Sequence, residues 1–410
     1  MARPWLLFAL AAALGSSSGC GTTSTAARDA GARDGSVVDA GALDADADAK
    51  PPPGDPCGDL SGLEADSPWP MPGGCPKRPG FRPKLQGAGQ PTLSFSFGVA
   101  SRPTSPVVAA DGSVYFGTAE GKLDALSGQG KKKWDVDAGA PITQSPVVLA
   151  GGHVVFVTTS GKITLVGADG EQKAQATLPP SPSSPLVGPD GTLYLTASDG
   201  KLHALAKDTL AERYASDVGD APGSEPGNAV TLGDGGVLWV ATRNGSLSRV
   251  TFDGRSTVVY KAGAGFAAAP SVTASGDVVA ASSDGTLHMI GPDGTLRYRA
   301  ALGSASAGGP ALSPEGAVYV PTRAGKLLGI DQAGKEIFAF APFGIPSEAI
   351  VGSDGIVYFG ADDGKFYAVA PSGRLVWAAS ARSPTRAASA LSGSGLVLVP
   401  SDGALVGLGP

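Results

Sequence analysis

Residues able to do chemistry are scarce in this chain of 410, which holds three His and three Cys. Gly15-Ser-Ser-Ser-Gly19 matches the pattern of a nucleophile elbow. That motif needs a strand before it and a helix after it, and here it lies in an apolar leader. Ser198-Asp-Gly-Lys201 matches a Ser-x-x-Lys nucleophile pair, and Asn244-Gly-Ser246 a glycosylation sequon. Both recur elsewhere as copies of one hairpin turn. Asp44, Asp46 and Asp48 suggest a calcium loop, but the turn glycine and the terminal bidentate Glu are missing. His203 and His288 occupy the same position, three residues after a turn glycine, in the third and fifth copies of a repeat. Nonadjacent copies hold them apart, so they read as strand-face histidines, and His153 lies in a different strand. No phosphate loop is present. These residues call for no catalytic group, no metal and no cofactor.

The leader is an address. Arg3 precedes the apolar run Trp5 to Leu14 and the small residues Gly15 to Gly19, a secretory pattern too short to span a bilayer. Residues 1–19 are therefore expected to be a signal peptide. Ser17-Ser18-Gly19-Cys20 resembles the lipobox of bacterial lipoproteins, departing from it at Ser17, where that family has Leu. The resemblance implies lipid on Cys20 and, with Gly21 next, carriage to the outer membrane. Residues 20–56 are rich in Ala and Asp and lack aromatic residues, so they read as a disordered acidic tether. Two cysteines then remain. In an exported chain, Cys57 and Cys75 are expected to pair and to knot a Pro/Gly-rich cap over 57–90.

The composition narrows what can position such residues. With 61 Gly and 34 Pro, the chain is unsuited to helical bundles, while 42% hydrophobic residues suffice for a core. A net charge of −6, with 31 basic residues spread along the chain, gives no footprint for nucleic acid.

A repeat fills residues 91–410. A turn glycine followed two residues later by an apolar residue recurs at Gly121, Gly161, Gly200, Gly245, Gly285, Gly325, Gly364 and Gly403, at spacings of 39 to 45. In the first copy, Asp111-Gly112 and Glu120-Gly121 separate apolar runs, as tight two-residue hairpin turns do. Each copy reads as a four-stranded antiparallel meander, and the fold class as all-β, an eight-bladed β-propeller. After Gly403 the eighth copy lacks a fourth strand. The run Leu93-Ser-Phe-Ser-Phe97 is expected to supply it, closing the ring with strands from both termini and removing an exposed edge.

Between the third and fourth strands a turn glycine is followed four residues later by an aromatic: Trp134, Tyr298, Phe338 and Trp377. With the preceding Leu-x-Ala-Leu, this resembles the repeat of pyrroloquinoline-quinone-type propellers. The resemblance covers all eight copies in outline and implies that these aromatics dock between neighbouring blades. One branch of the family, the quinoprotein dehydrogenases, holds a quinone, a calcium ion, a catalytic Asp and a vicinal disulfide. Here no two cysteines are adjacent. The other branch resembles the eight-bladed scaffold lipoprotein of the outer-membrane β-barrel assembly machinery, through its anchor, tether and blade number.

The loops from each fourth strand to the next first strand repeat least, as binding loops on a rigid scaffold do. They nominate Arg102, Asp217, Asp220, Glu225, Phe266, Phe343, Arg382 and Arg386 as a partner-binding face. The expected function is a non-catalytic, lipid-anchored interaction scaffold of the cell envelope, a monomeric propeller with envelope proteins as partners. A ligand- or glycan-binding propeller is the alternative, and a quinoprotein-type enzyme the remoter one.

Overall fold

Each Asp-Gly pair turns the chain back on itself. At the first, Gly112 has φ 80°, and the Asp111 carboxylate accepts both the N–H and the O–H of Ser113 at 2.8 Å. At the second turn of the same blade Gly121 has φ 88°, and a Cβ there would fall 2.7 Å from the Ala140 carbonyl oxygen. Glycine is needed there both for the backbone angle and for the close approach of the loop leading to the next blade.

The computed structural model describes residues 56–218 and 230–410, all within the unit Pro52–Pro410. The expected signal peptide, Cys20 and nearly all of the expected tether lie outside the described residues. The turns generate eight four-stranded antiparallel sheets. Blade 1 runs Val107–Val108, Val114–Gly117, Lys122–Leu126 and Lys132–Asp137, in that spatial order. Blades 2 to 7 repeat it, ending at Ser380.

The strands differ in what covers them. Val114–Gly117 is buried at every residue, whereas the outer strand Lys132–Asp137 alternates between exposed and half-buried. Inner strands are sandwiched between neighbouring blades on both faces, so they carry unbroken apolar runs. The core is correspondingly interblade: Val107, Tyr115 and Leu123 of blade 1 cluster with Val148, Val154 and Phe156 of blade 2.

Blade 8 confirms the expected closure. Its order from the rim inward is Thr92–Gly98, Ala404–Gly409, Val397–Ser401 and Ala390–Leu391. The two chain ends pair antiparallel from Thr92↔Gly409 to Gly98↔Ala404, with a bulge between Leu93 and Phe95.

The Pro/Gly-rich segment ahead of the ring is a plug. Cys57 and Cys75 form a disulfide with a Cα–Cα distance of 5.3 Å. The innermost strands face a central channel, and their N–H groups would have no strand to pair with. In six blades the plug supplies the acceptor. Val108, Val148, Leu232, Val272, Leu312 and Val351 donate to the carbonyls of Trp69, Pro70, Pro76, Lys77, Pro79 and Gly80, at 2.7 to 2.9 Å. Each of the six is the second residue of its inner strand. Trp69 and Met71 are fully buried beneath them. A single irregular segment thus completes the hydrogen bonding of most of the ring.

Candidate functional site

The plug meets the face that carries the Asp111-Gly112 type of turn: Glu64 accepts the Ala110 N–H at 2.8 Å, and Lys77 Nζ lies 2.7 Å from Asp234. The opposite face carries the second-turn glycines and the loops between blades. There the channel remains open as a cavity of about 320 Å³ whose floor is formed by Pro72 and Arg78 of the plug. Thr104, Ser105, Ser145 and Ser184 bring hydroxyls to its wall, Arg102 and Arg386 guanidinium groups and, among the described residues, Glu348 the one carboxylate.

Arg78 is 7% exposed. Its Nε donates to the Val230 carbonyl at 3.0 Å and its Nη1 to the Pro72 carbonyl at 3.4 Å. Its Nη2 is buried with no hydrogen-bond partner. Burial pulls its pKa down to about 10, opposed by the negative charge of Glu348, so it stays cationic at neutral pH. Burial likewise pushes Glu348 above the ordinary carboxylate range. A hydrogen bond from the Gly309 N–H at 3.1 Å and the charge of Arg78 oppose that shift.

The rim residues nominated from sequence divide into three groups. Arg102 and Arg386 converge on Asp402: Arg102 Nε lies 3.0 Å from Oδ1, and Arg386 Nη1 2.5 Å from Oδ2. Arg386 Nε also lies 2.7 Å from Asp362 of blade 7. These two arginines therefore tie blades 7, 8 and 1 together at the rim. Phe343 is 91% exposed, with Lys365 Nζ 5.8 Å from its ring centroid, and Arg382 and Asp217 are exposed. Phe266 is a correction. It is 3% exposed, bridges to Ser282 and packs edge-on against His288, so it is a core residue and not part of the face. Asp220 and Glu225 lie outside the described residues.

The aromatics of the repeat sit at blade boundaries. Trp134 donates its indole N–H to the Ala168 carbonyl at 2.8 Å and covers Gly170, where a Cβ would meet it at 2.8 Å. Tyr298 covers Gly334 and Phe338 covers Gly373 in the same way, while Trp377 donates to the Ala88 carbonyl. Two further members escaped the pattern. Tyr214 covers Gly254, and Phe95, from the far end of the chain, covers Gly130. The signal for Tyr214 is hidden because Leu210 holds the left-handed angle, φ 57°, that glycine holds elsewhere.

The histidines stay apart. His203 Nδ1 lies 2.7 Å from Glu212 and its Nε2 3.2 Å from Asp199, whereas His288 bonds Tyr260 and Ser282, both at 2.9 Å. Among the described residues no three His, Cys, Asp or Glu side chains gather into a metal-holding group.

Eight four-stranded blades, closed by both chain ends and sealed between blades by aromatics over glycines, define a propeller of the pyrroloquinoline-quinone-like class. The profile of the family described as outer membrane protein assembly factor BamB matches residues 88–216 and 283–410, more than half of the chain. The chain belongs to that family. No curated protein matches the sequence. Among solved structures, BamB from Moraxella catarrhalis superposes with a TM-score of 0.66 at 15% identity, over 78% of this chain and 100% of that one. The computationally designed Ika8 protein gives 0.63 at 15%, covering 76% and 96%. The quinohemoprotein alcohol dehydrogenase ADHIIG from Pseudomonas putida HK5 gives 0.67 at 14%, covering 83% and 77%. At such identities the likeness is one of fold. A quinone with calcium and a catalytic Asp needs several acidic ligands around the channel, and among the described residues Glu348 is the one carboxylate on this cavity's wall. The described residues do not by themselves supply that ligand set.

Proposed function

We propose that this protein is a non-catalytic scaffold of the cell envelope that engages a protein partner through its loop-bearing face. Membership of the BamB family supports an envelope role. The observation that carries the choice of face is Phe343: a large aromatic left 91% exposed at the tip of an interblade loop, beside Lys365 and the half-exposed Ile345. An exposed aromatic on a rigid rim, flanked by mixed charge, is the composition of an interaction hot spot. The charged cluster of Arg102, Arg386, Asp362 and Asp402 lies on the same face and would act on encounter and register more than on affinity. Lipid on Cys20 would hold the propeller at the outer membrane, with the 20–56 segment as tether and the ring free to meet envelope proteins.

The test is site-specific photocrosslinking in intact envelopes. A crosslinker at Phe343 should trap a discrete protein, and one at Gln129 on the plug face should not. Trapping from Gln129 alone would move the interface to the opposite face. A Cys20→Ser variant that still partitions with detergent would remove the lipid anchor from the reading.

A further inference from the structure

The outer strand of every blade is a sheet edge, on which alternate residues turn their backbone N–H and C=O groups away from the blade. Blades 1 to 6 carry charge on that strand, which discourages another strand from pairing: Lys133, Lys173, Arg213, Lys261, Arg297 and Glu336 in turn. The outer strands of blades 7 and 8, which are neighbours, carry none. On blade 8 the strand Thr92–Gly98 exposes mainly hydroxyls, those of Thr92, Ser94 and Ser96, beside Leu93. On blade 7 the strand Leu375-Val-Trp-Ala-Ala-Ser380 exposes Leu375, Val376, Ala378 and Ser380. Among the described residues, the large apolar side chains that outer strands leave exposed are Ile337, Leu375, Val376 and Leu93 of blades 6 to 8, and Val258 of blade 4. The rim is therefore uncharged and apolar on one side of the ring.

We propose that the outer edge of blade 7, Leu375–Ser380, is a docking site for an extended, uncharged apolar segment of another protein, which joins the blade as a fifth strand. The site is separate from the loop face and does not depend on the scaffold reading. An open edge asks for a partner that alternates donors and acceptors at strand spacing, and an extended segment supplies both. Past the bulge at Val376 the register runs unbroken from Trp377↔Ala368 to Ser380↔Lys365, so the incoming segment meets a regular ladder. Ala378 and Ala379 put no bulk in its way. Leu375 and Val376, 43% and 39% exposed, offer apolar contact to the side chains it brings. A charged segment would find no counter-charge on this strand. A second copy of the chain fits less well. Two convex rims touch along one strand each, far short of the ~800 Å² per partner that a stable dimer buries, whereas a flexible segment follows the edge along its whole length.

The experiment is amide hydrogen exchange, read by NMR on the full-length protein, with a capped peptide of alternating Thr and Val as the probe. The same peptide N-methylated at every residue, which cannot donate to an edge, is the control. The unmodified peptide should slow the outward amides of Leu375–Ser380 about tenfold and saturably, leaving the charged outer strand of blade 5 unchanged. Ala378→Lys sets a cation on the exposed edge and should abolish the protection, while Ala378→Thr should keep it. Matching Tm values for parent and variants show that the blade itself is intact. No slowing in the parent, or slowing that survives Ala378→Lys, loses the proposal. Equal protection of blade 5, or protection by the methylated peptide, would mean adhesion through side chains and not strand addition. Protection that grows with protein concentration in the absence of peptide, together with a dimer in sedimentation, would give the edge to a second copy instead.

Discussion

Lys77 of the plug and Asp234 of blade 4 meet at 2.7 Å, with the lysine side chain 2% exposed and the aspartate 59%. The buried partner depends on the exposed one. Removing Asp234 leaves a buried ammonium without its carboxylate, so Asp234→Asn should destabilise the fold by about 1–3 kcal/mol. Replacing the cation by an apolar side chain of similar length removes that demand, so Lys77→Met should cost less. Calorimetric melts of both variants and the parent check the order.

The disulfide holds the plug closed at its start. Breaking it with Cys57→Ser and Cys75→Ser should cost roughly 3 kcal/mol on the chain-entropy account. The loss should be local first. Hydrogen exchange at Val108, Val148, Val272 and Leu312, whose amides donate to plug carbonyls, should quicken before exchange in the middle strands does. Uniform quickening would mean that plug and ring unfold as one unit.

Deleting residues 91–97 strips blade 8 of its outer strand, which pairs with Ala404–Gly409. An exposed edge should then drive aggregation or a marked fall in Tm. A monomer that melts with the parent would contradict the closure.

His288 is buried between Tyr260, Ser282 and Phe266. Burial first, then the positive charge of Arg299, lower its pKa, while Asp284 opposes. A histidine whose folded pKa lies below its unfolded value of ~6.5 binds its proton more readily when unfolded. Stability should therefore be fully present above that value and decline as pH falls through it toward the folded pKa. Urea titrations between pH 7.5 and 5 should show this slope, and His288→Gln should flatten it.

The repeat was legible because its constraints are local: a positive-φ glycine at Gly121 or Gly285 leaves its mark in the sequence at every copy. Chain-end closure was legible too, because the eighth copy visibly lacked a strand. Trp134 announces itself by spacing, whereas Tyr214 does not, since Leu210 adopts the glycine conformation without being glycine. The plug's role was less legible. Its contacts run from Trp69 to Val108 and from Gly80 to Val351, and contacts between an aperiodic segment and distant strands leave no period to read. Arg78 carries no mark of its own in the sequence, and its burial follows only from where the plug lands. Phe266 departs from expectation for the converse reason: a loop position in sequence need not be a surface position, and this one is buried.

The pairing of Thr92–Gly98 with Ala404–Gly409 also governs when the protein can finish folding. The first strand to leave the ribosome has no hydrogen-bonding neighbour until the last strand is made, and the plug made before it needs blades scattered along the whole chain. Intermediate blades can form as hairpins from local contacts, but the ring cannot lock until its two ends meet. Chain closure over so many residues slows folding far more than it weakens the final structure. A chain built this way stays unlocked throughout synthesis, the condition in which a polypeptide can still be threaded across a membrane.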